Sequence, residues 1–230
     1  MARHPRVVLP NVAMHIVQRG NNRIECFRAD ADRLVYLSIL RELSALTHCA
    51  IHAYCLMTNH VHLLLTPESD AGPSLLMRDL ARCYASYFNR RYERTGTLWE
   101  GRFRSCLVES APYVLACYRY VEMNPVRAGM VSSPAAYEWS SHRANLAGSG
   151  NALLSGHPEY AALTPSAYSG LFDADDPQFV KTMREATGGG YPLVGDAVKA
   201  RLDLLGVRTE PGKPGPRPTA GANLTRILRT

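Results

Sequence analysis

Lysine is nearly missing from this chain. Only Lys181, Lys199 and Lys213 stand among its 26 basic residues, so 23 are arginine; against 20 acidic residues they leave a formal charge of +6 over 230 residues. Arginine's planar fork of donors matches phosphate and guanine edges, where lysine is a point charge, so the excess points to a polyanion. A GC-rich coding sequence produces the same bias. Long apolar runs are missing too: none reaches the ~18–20 residues of a bilayer span. The opening MARHPRVVLP lacks the apolar core of a signal peptide, so a cytoplasmic protein is expected. The cysteines at 26, 49, 55, 83, 106 and 117 form no C-x-x-C pair and no disulfide framework of a short secreted chain, and read as reduced thiols. Hydrophobic content of 46% excludes disorder throughout, and no internal repeat is present.

What is there alternates between strand and helix signals. VAMHIVQ at 12–18 reads as a strand closed by the polar turn RGNNR at 19–23. Asp30 and Asp32 open a helix in which Leu34, Leu37, Leu40, Leu43 and Leu46 recur. AIHAYCLM at 50–57 and HVHLLLT at 60–66 are two strands joined only by Thr58 and Asn59, a tight hairpin. A second helix is expected from about Ser74 to Glu93, with Leu76, Leu80, Tyr84, Tyr87 and Phe88 inward, and a fourth strand at 103–110. The order β-α-β-β-α-β is the ferredoxin-like, RRM-like α+β pattern, an antiparallel sheet with both helices on one face. Ser110, as a cap, and Pro112 open a tyrosine-bearing helix expected on the other face and running to Met123. A helical stretch around PAAYEWSSHRANLAG follows, then loops and two short helices near 176–187 and 194–206. We divide the chain into a core over 1–145, a helical accessory region over 146–206 and a basic Pro/Gly-rich tail over 207–230.

The sharpest chemical feature is His60-Val61-His62. Side chains at i and i+2 of a strand share a face, so both imidazoles present nitrogens to one small volume, half of a metal site. On a solvated sheet face the same pair is merely polar, but Leu63, Leu64 and Leu65 follow at once, so these histidines stand at the mouth of a buried strand. Leucine at 64, where a histidine-triad nucleotide hydrolase needs its third histidine, argues against that class. The helix ACYRYVEMNP at 116–125 offers two i, i+4 pairs, Tyr118 with Glu122 and Tyr120 with Asn124, about 200° apart, so only one can face the sheet. Tyr118 falls in the apolar stripe of Val114, Cys117 and Val121; spacing tilts towards Tyr120 and leaves both open. An asparagine oxygen beside two imidazoles suits magnesium or manganese, and a phenol next to such a site is a nucleophile. Between Arg78 and Arg104 seven arginines face three acidic residues, interleaved with Tyr84, Tyr87, Phe88, Tyr92, Trp99 and Phe103. That mixture offers phosphate contacts and stacking platforms, although an amphipathic helix also puts aromatics inward and arginines outward.

Taken together, HIVQRGNNR at 15–23, YCLMTNHVHLLL at 54–65, GTLWEGRFRS at 96–105, YVEMNPVRAG at 120–129 and YEWSS at 137–141 resemble the REP-associated tyrosine transposases, relatives of the single-tyrosine HUH transposases. The likeness spans roughly residues 6–145. It implies a metal-dependent single-stranded DNA endonuclease that cleaves and rejoins hairpin-forming palindromes through a 5′-phosphotyrosine. By position it makes His60, His62 and Asn124 the ligands of Mg2+ or Mn2+ and Tyr120 the nucleophile. Arg19, Asn21, Asn22, Arg23, Trp99, Arg102 and Arg104 become the DNA contacts. It also implies single-stranded or hairpin DNA as partner, a nucleoid-associated cytoplasmic location, no nucleotide cofactor, no membrane, and a monomer ahead of a homodimer. Members often end in a Gly-Arg-Pro hook; here PGKPGPRP sets Pro216 between Gly215 and Arg217, and a general phosphate-binding arm is expected instead. Two other classes stay in view: a hairpin-binding regulator that no longer transposes, and an RNA-binding sheet module, which lacks stacking aromatics on the strand of His60.

Overall fold

Period-2 alternation along one strand sets the architecture. In the computed structural model, which describes residues 6–148 and 151–210, β1 (Met14–Arg19), β2 (Cys49–Met57), β3 (His60–Pro67) and β4 (Arg104–Leu107) form one antiparallel sheet ordered β2-β3-β1-β4. Val61, Leu63 and Leu65 of β3, with Met14 and Ile16 of β1, face α1 (Asp30–Leu46) and α2 (Gly72–Arg91) in one core. Leu64 turns to a second core on the opposite face, and the same alternation carries His60 and His62 with it. The fold is α+β with the expected β-α-β-β-α-β order and both long helices on one side.

The second face is covered by two helices from distant parts of the chain. α3 (Ala111–Glu122) lies over β2 and β3, and α8 (Pro177–Gly189) lies over β4 and β1. Val114, Cys117, Tyr118 and Val121 from α3 and Met183 and Ala186 from α8 close this core on Ala53, Cys55, Leu64 and Cys106. The accessory region 146–206 therefore supplies part of the sheet's cover. α4 (Asn124–Arg127) resumes directly after Met123 with Pro125 in its first turn, where a missing N–H costs nothing.

Several sequence expectations are corrected. Leu34 and Leu46 are 60% and 74% exposed, because a strict three-residue spacing drifts around a 3.6-residue helix; Tyr36 and Leu40 take the buried face. Ser110 gives no side-chain cap; its φ of 88° makes it the sharp turn from β4 into α3. The stretch around YEWSS is not one helix. It begins as a 3-10 turn at Pro134–Ala136, then runs beside β2, with Leu56 N–H donating to Trp139 O at 2.9 Å and Ser141 N–H to Tyr54 O at 3.0 Å, before α5 (His142–Ala147). That segment covers what would be an open sheet edge. α6 (Pro158–Ala161) and α7 (Pro165–Gly170) occupy the stretch read as loop, and α9 (Asp196–Leu204) matches the last expected helix. All six cysteines are free. Among the described residues no helix is long and apolar enough to cross a membrane. The PGKPGPRP arm lies outside the described residues.

Candidate active site

Three strands deliver side chains to one end of the second face, around a cavity of 760 Å³. β3 contributes His60 and His62, β1 contributes Arg19, which is paired in register with His60, and β4 contributes Arg104. His62 Nδ1 is held at 2.9 Å from Nε2 of the fully buried His15, whose Nδ1 lies 2.8 Å from Thr187 Oγ1 of α8. His60 Nδ1 is tied back to Asn59 Oδ1 at 2.7 Å, and the rings of His60 and His62 sit 4.9 Å apart. Each imidazole thus keeps Nε2 for the cavity, and that of His62 is buried with no hydrogen-bond partner.

From α3, the Tyr120 ring meets His15 and His62 edge-on at 5.4 and 5.7 Å between centroids. One turn on, Asn124 donates its amide N–H groups to Tyr120 O at 2.8 Å and Val121 O at 3.1 Å, which aims its oxygen away from the helix. The other pair points elsewhere, as a separation of about 200° requires. Tyr118 is fully buried and stacked on Tyr160, and Glu122 is fully buried among Ser141, His142, Asn145 and Tyr168. Structure thus brings His60, His62, Tyr120 and Asn124 to one cavity and sends Tyr118 away from it.

Burial keeps the imidazoles neutral. It lowers His15 to about 3; burial, with the charge of Arg19, lowers His60 to about 4; burial, then His15 and His60, holds His62 well below the ordinary histidine value. Neutral imidazoles are what metal ligation needs. Two such nitrogens and one amide oxygen fit a divalent ion that keeps open positions, and the unpartnered Nε2 of His62 is the atom such an ion would satisfy. Among the described residues no group of three or more His, Cys, Asp or Glu side chains is arranged to hold a metal ion. Burial raises the Tyr120 phenol above its usual value, while Arg127 and Arg184 pull it back. Arg19, Arg23, Arg104, Arg127 and Arg184 all line the cavity, and no carboxylate does. Arg127 donates to Tyr120 O, holds its guanidinium 4.9 Å from the Tyr120 ring, pairs through Nη1 with Asp175 Oδ1 at 3.6 Å, and keeps Nε buried without a hydrogen-bond partner.

Of the remaining sequence candidates, Arg19, Arg23, Arg102 and Arg104 line the cavity or the groove beside it, and Asn21 and Asn22 sit in the adjoining turn. Asn21 N–H donates to Leu98 O at 2.8 Å and Glu100 N–H to Arg19 O at 2.9 Å, stitching the first turn to the segment before β4. Arg19, Arg102 and Arg104 share a side groove there, and Arg23 reaches the main cavity. Asn22 and Arg23 hold φ of 50° and 59° in a tight 3-10 turn, with Asn22 exposed at its tip. The turn requires Gly20, since a Cβ there would stand 2.3 Å from Ile24 O. Trp99 stands apart: it is 8% exposed, donates to Ala81 O at 3.2 Å, and packs on Tyr36 and Tyr84. It anchors the helix layer and is not available for base stacking. Sequence reading missed His15, Arg127, Arg184 and Thr187. Strand alternation places His15 on the face of Arg19, but nothing local indicates that Arg184 and Thr187 arrive from α8.

The chain is similar to known transposases. The structure of a REP-associated tyrosine transposase bound to a REP hairpin aligns over 68% of this chain and 93% of that one, with 18% identity and a TM-score of 0.55, a likeness of fold. A structure described as that of a transposase from Deinococcus radiodurans R1 aligns over 56% and 92%, with 21% identity and a TM-score of 0.36. No curated protein matches the sequence. The family profile described as "Transposase IS200 like" matches residues 8–124, just over half of the 230 residues, and on that match the chain belongs to the IS200-like transposase family.

Proposed function

We propose that this transposase is a metal-dependent, single-tyrosine endonuclease that cuts and rejoins single-stranded DNA beside a hairpin. The observation that carries the reading is the meeting of Tyr120, His60, His62 and Asn124 in a cavity lined by five arginines and no carboxylate. The likeness in fold to a protein bound to a REP hairpin supports hairpin DNA as the substrate class. His60, His62 and Asn124 would hold Mg2+ or Mn2+, which when bound polarises the scissile phosphate. The arginine rim, with Arg19, Arg23, Arg102 and Arg104 and beside Asn21 and Asn22, draws the backbone in and fixes its register. Tyr120 Oη attacks phosphorus, the bond from phosphorus to the 3′ oxygen breaks, and the phenolic proton ends on the departing 3′ hydroxyl. A 5′-phosphotyrosine results. A second 3′ hydroxyl then attacks it, restoring the phenol and joining strands without an external energy source. Residues 1–145 carry the reacting groups and 146–206 complete the cavity. Tyr120 meets the histidine pair of its own chain, which supports a monomer as the working unit.

The test uses end-labelled single-stranded DNA carrying a hairpin, incubated with the protein and Mg2+ or Mn2+ and run on a denaturing gel. A covalent adduct is expected with the wild type and with Tyr118→Phe, and none with Tyr120→Phe or without metal. Binding with no adduct across hairpin substrates overturns the enzyme and leaves a DNA-binding regulator. An adduct that survives Tyr120→Phe and disappears with Tyr118→Phe reverses the choice of nucleophile.

A further inference from the structure

Helix α8 lies beyond the family-matched residues 8–124, yet it is hydrogen-bonded into the site. Thr187 Oγ1 stands 2.8 Å from His15 Nδ1 and 3.2 Å from Cys106 Sγ, and His15 Nε2 stands 2.9 Å from His62 Nδ1. His15 is fully exhausted as a ligand, since both of its ring nitrogens are taken and it has no exposure to solvent. The rings of His15 and His62 lie 5.2 Å apart with 17° between their planes, so each fixes the orientation of the other. The same helix brings Arg184 to the Tyr120 phenol.

A neutral imidazole has one N–H and one lone pair, so the tautomer of each ring is dictated by its neighbour. If His62 donates from Nδ1, His15 must accept at Nε2 and donate from Nδ1 to Thr187, whose hydroxyl proton then goes to the Cys106 sulfur. In that sense of the chain the buried Nε2 of His62 presents a lone pair to the cavity. In the opposite sense Thr187 donates inward, and His62 presents a buried N–H that finds no acceptor among the described residues, which disfavours it. Threonine, able to accept or donate, links His15 to Cys106.

We infer that Thr187 and His15 are positioning residues that fix His62 as its Nδ1–H tautomer and so pre-form the cation site from the C-terminal part of the chain. The inference rests on the reading of His62 as a metal ligand. It contributes no atom to the reacting phosphate; it sets the direction of one lone pair. Outer partners of ligating histidines typically change metal affinity by about 10–100-fold when removed.

The experiment compares wild type, Thr187→Val, Thr187→Ser and His15→Phe, all as full-length protein. Histidine 15N long-range correlation spectra report the tautomer of His62 without metal, and Mn2+ titration by electron paramagnetic resonance reports affinity. Wild type and Thr187→Ser are expected to show Nδ1-protonated His62. Thr187→Val should weaken Mn2+ binding about tenfold and mix the tautomers. His15→Phe should weaken it more, while hairpin binding in EDTA stays within about twofold of wild type, as its phosphate contacts are untouched. Thr187→Val is nearly isosteric, so it decides the matter even if His15→Phe does not fold. Wild-type affinity and an unchanged His62 spectrum in Thr187→Val overturn the relay alone. A wild type that binds no Mn2+ at His62 overturns both the relay and the metal reading.

Discussion

Arg127 leaves part of its donor fork unused. It donates from one guanidinium nitrogen to the Tyr120 carbonyl, faces Asp175 Oδ1 at 3.6 Å through Nη1, and leaves Nε buried without a hydrogen-bond partner, where an incoming phosphate would satisfy it. Arg127→Lys keeps a charge but loses the fork, so adduct formation should fall by about 10²-fold. Hairpin affinity should change far less; single-turnover adduct assays beside anisotropy titrations check this, and a rate within about twofold of wild type would refute it. Single residues were unevenly visible in the sequence. His60 and His62 announce themselves because two positions on one strand suffice to aim both. Spacing alone left Tyr120 and Tyr118 open, since each heads an i, i+4 pair; the resemblance chose Tyr120, and the packing of Tyr160 and Tyr168 on Tyr118 supplies the physical reason. Thr187 was invisible, since its partner His15 lies 172 positions away and no local pattern encodes a contact across that interval.

Strands and helices were more legible than their buried faces. β2 and β3 could be bounded from alternation and a two-residue turn, whereas α1 was given a leucine stripe that rotates out of the core before the helix ends. Leu40→Ala should therefore cost about 2–5 kcal/mol and Leu34→Ala under ~0.5 kcal/mol, although both are leucines of one helix; urea unfolding midpoints separate them. α3 is set by a polar anchor that its sequence does not reveal. Glu122 accepts from Ser141 Oγ at 2.6 Å, Asn145 Nδ2 at 2.8 Å and Tyr168 Oη at 2.7 Å, and contacts His142 Nδ1 at 2.9 Å. Removing the carboxylate strands these groups in a dry core, so Glu122→Ala should lose about 3 kcal/mol of stability. Because Glu122 and Tyr120 sit on one helix, the same variant should reduce adduct yield, whereas Glu138→Ala, at the exposed position of the YEWSS segment, should leave both unchanged.

The sheet divides the protein into a purely structural layer and a chemical one, and the two respond to different solution variables. Five arginines around the cavity imply that hairpin affinity falls with salt at a log–log slope of about −3.5, taking ~0.7 per phosphate contact on single strands. Arg23→Ala should reduce that slope by about 0.7. Acid acts on the imidazoles. His15, His52 and His60 are held by burial at about 3, about 4 and about 4, and His62 well below its ordinary value. The unfolded chain takes up those protons near pH 6.5, so below that it binds more protons than the folded protein. Stability is whole above about pH 6.5 and declines as pH falls towards 4, each imidazole adding about 1.4 kcal/mol per unit to the slope. Urea midpoints at about pH 7.5, 6 and 5 should drop in that order. The hydrogen bond between His15 and Thr187 also has a meaning in time. At ~5–20 residues per second on the ribosome, roughly 9–34 s separate the synthesis of its two partners. A nascent chain therefore displays its histidine pair and its tyrosine before the helix that packs against them exists, and the cavity is incomplete until the ribosome has made α8.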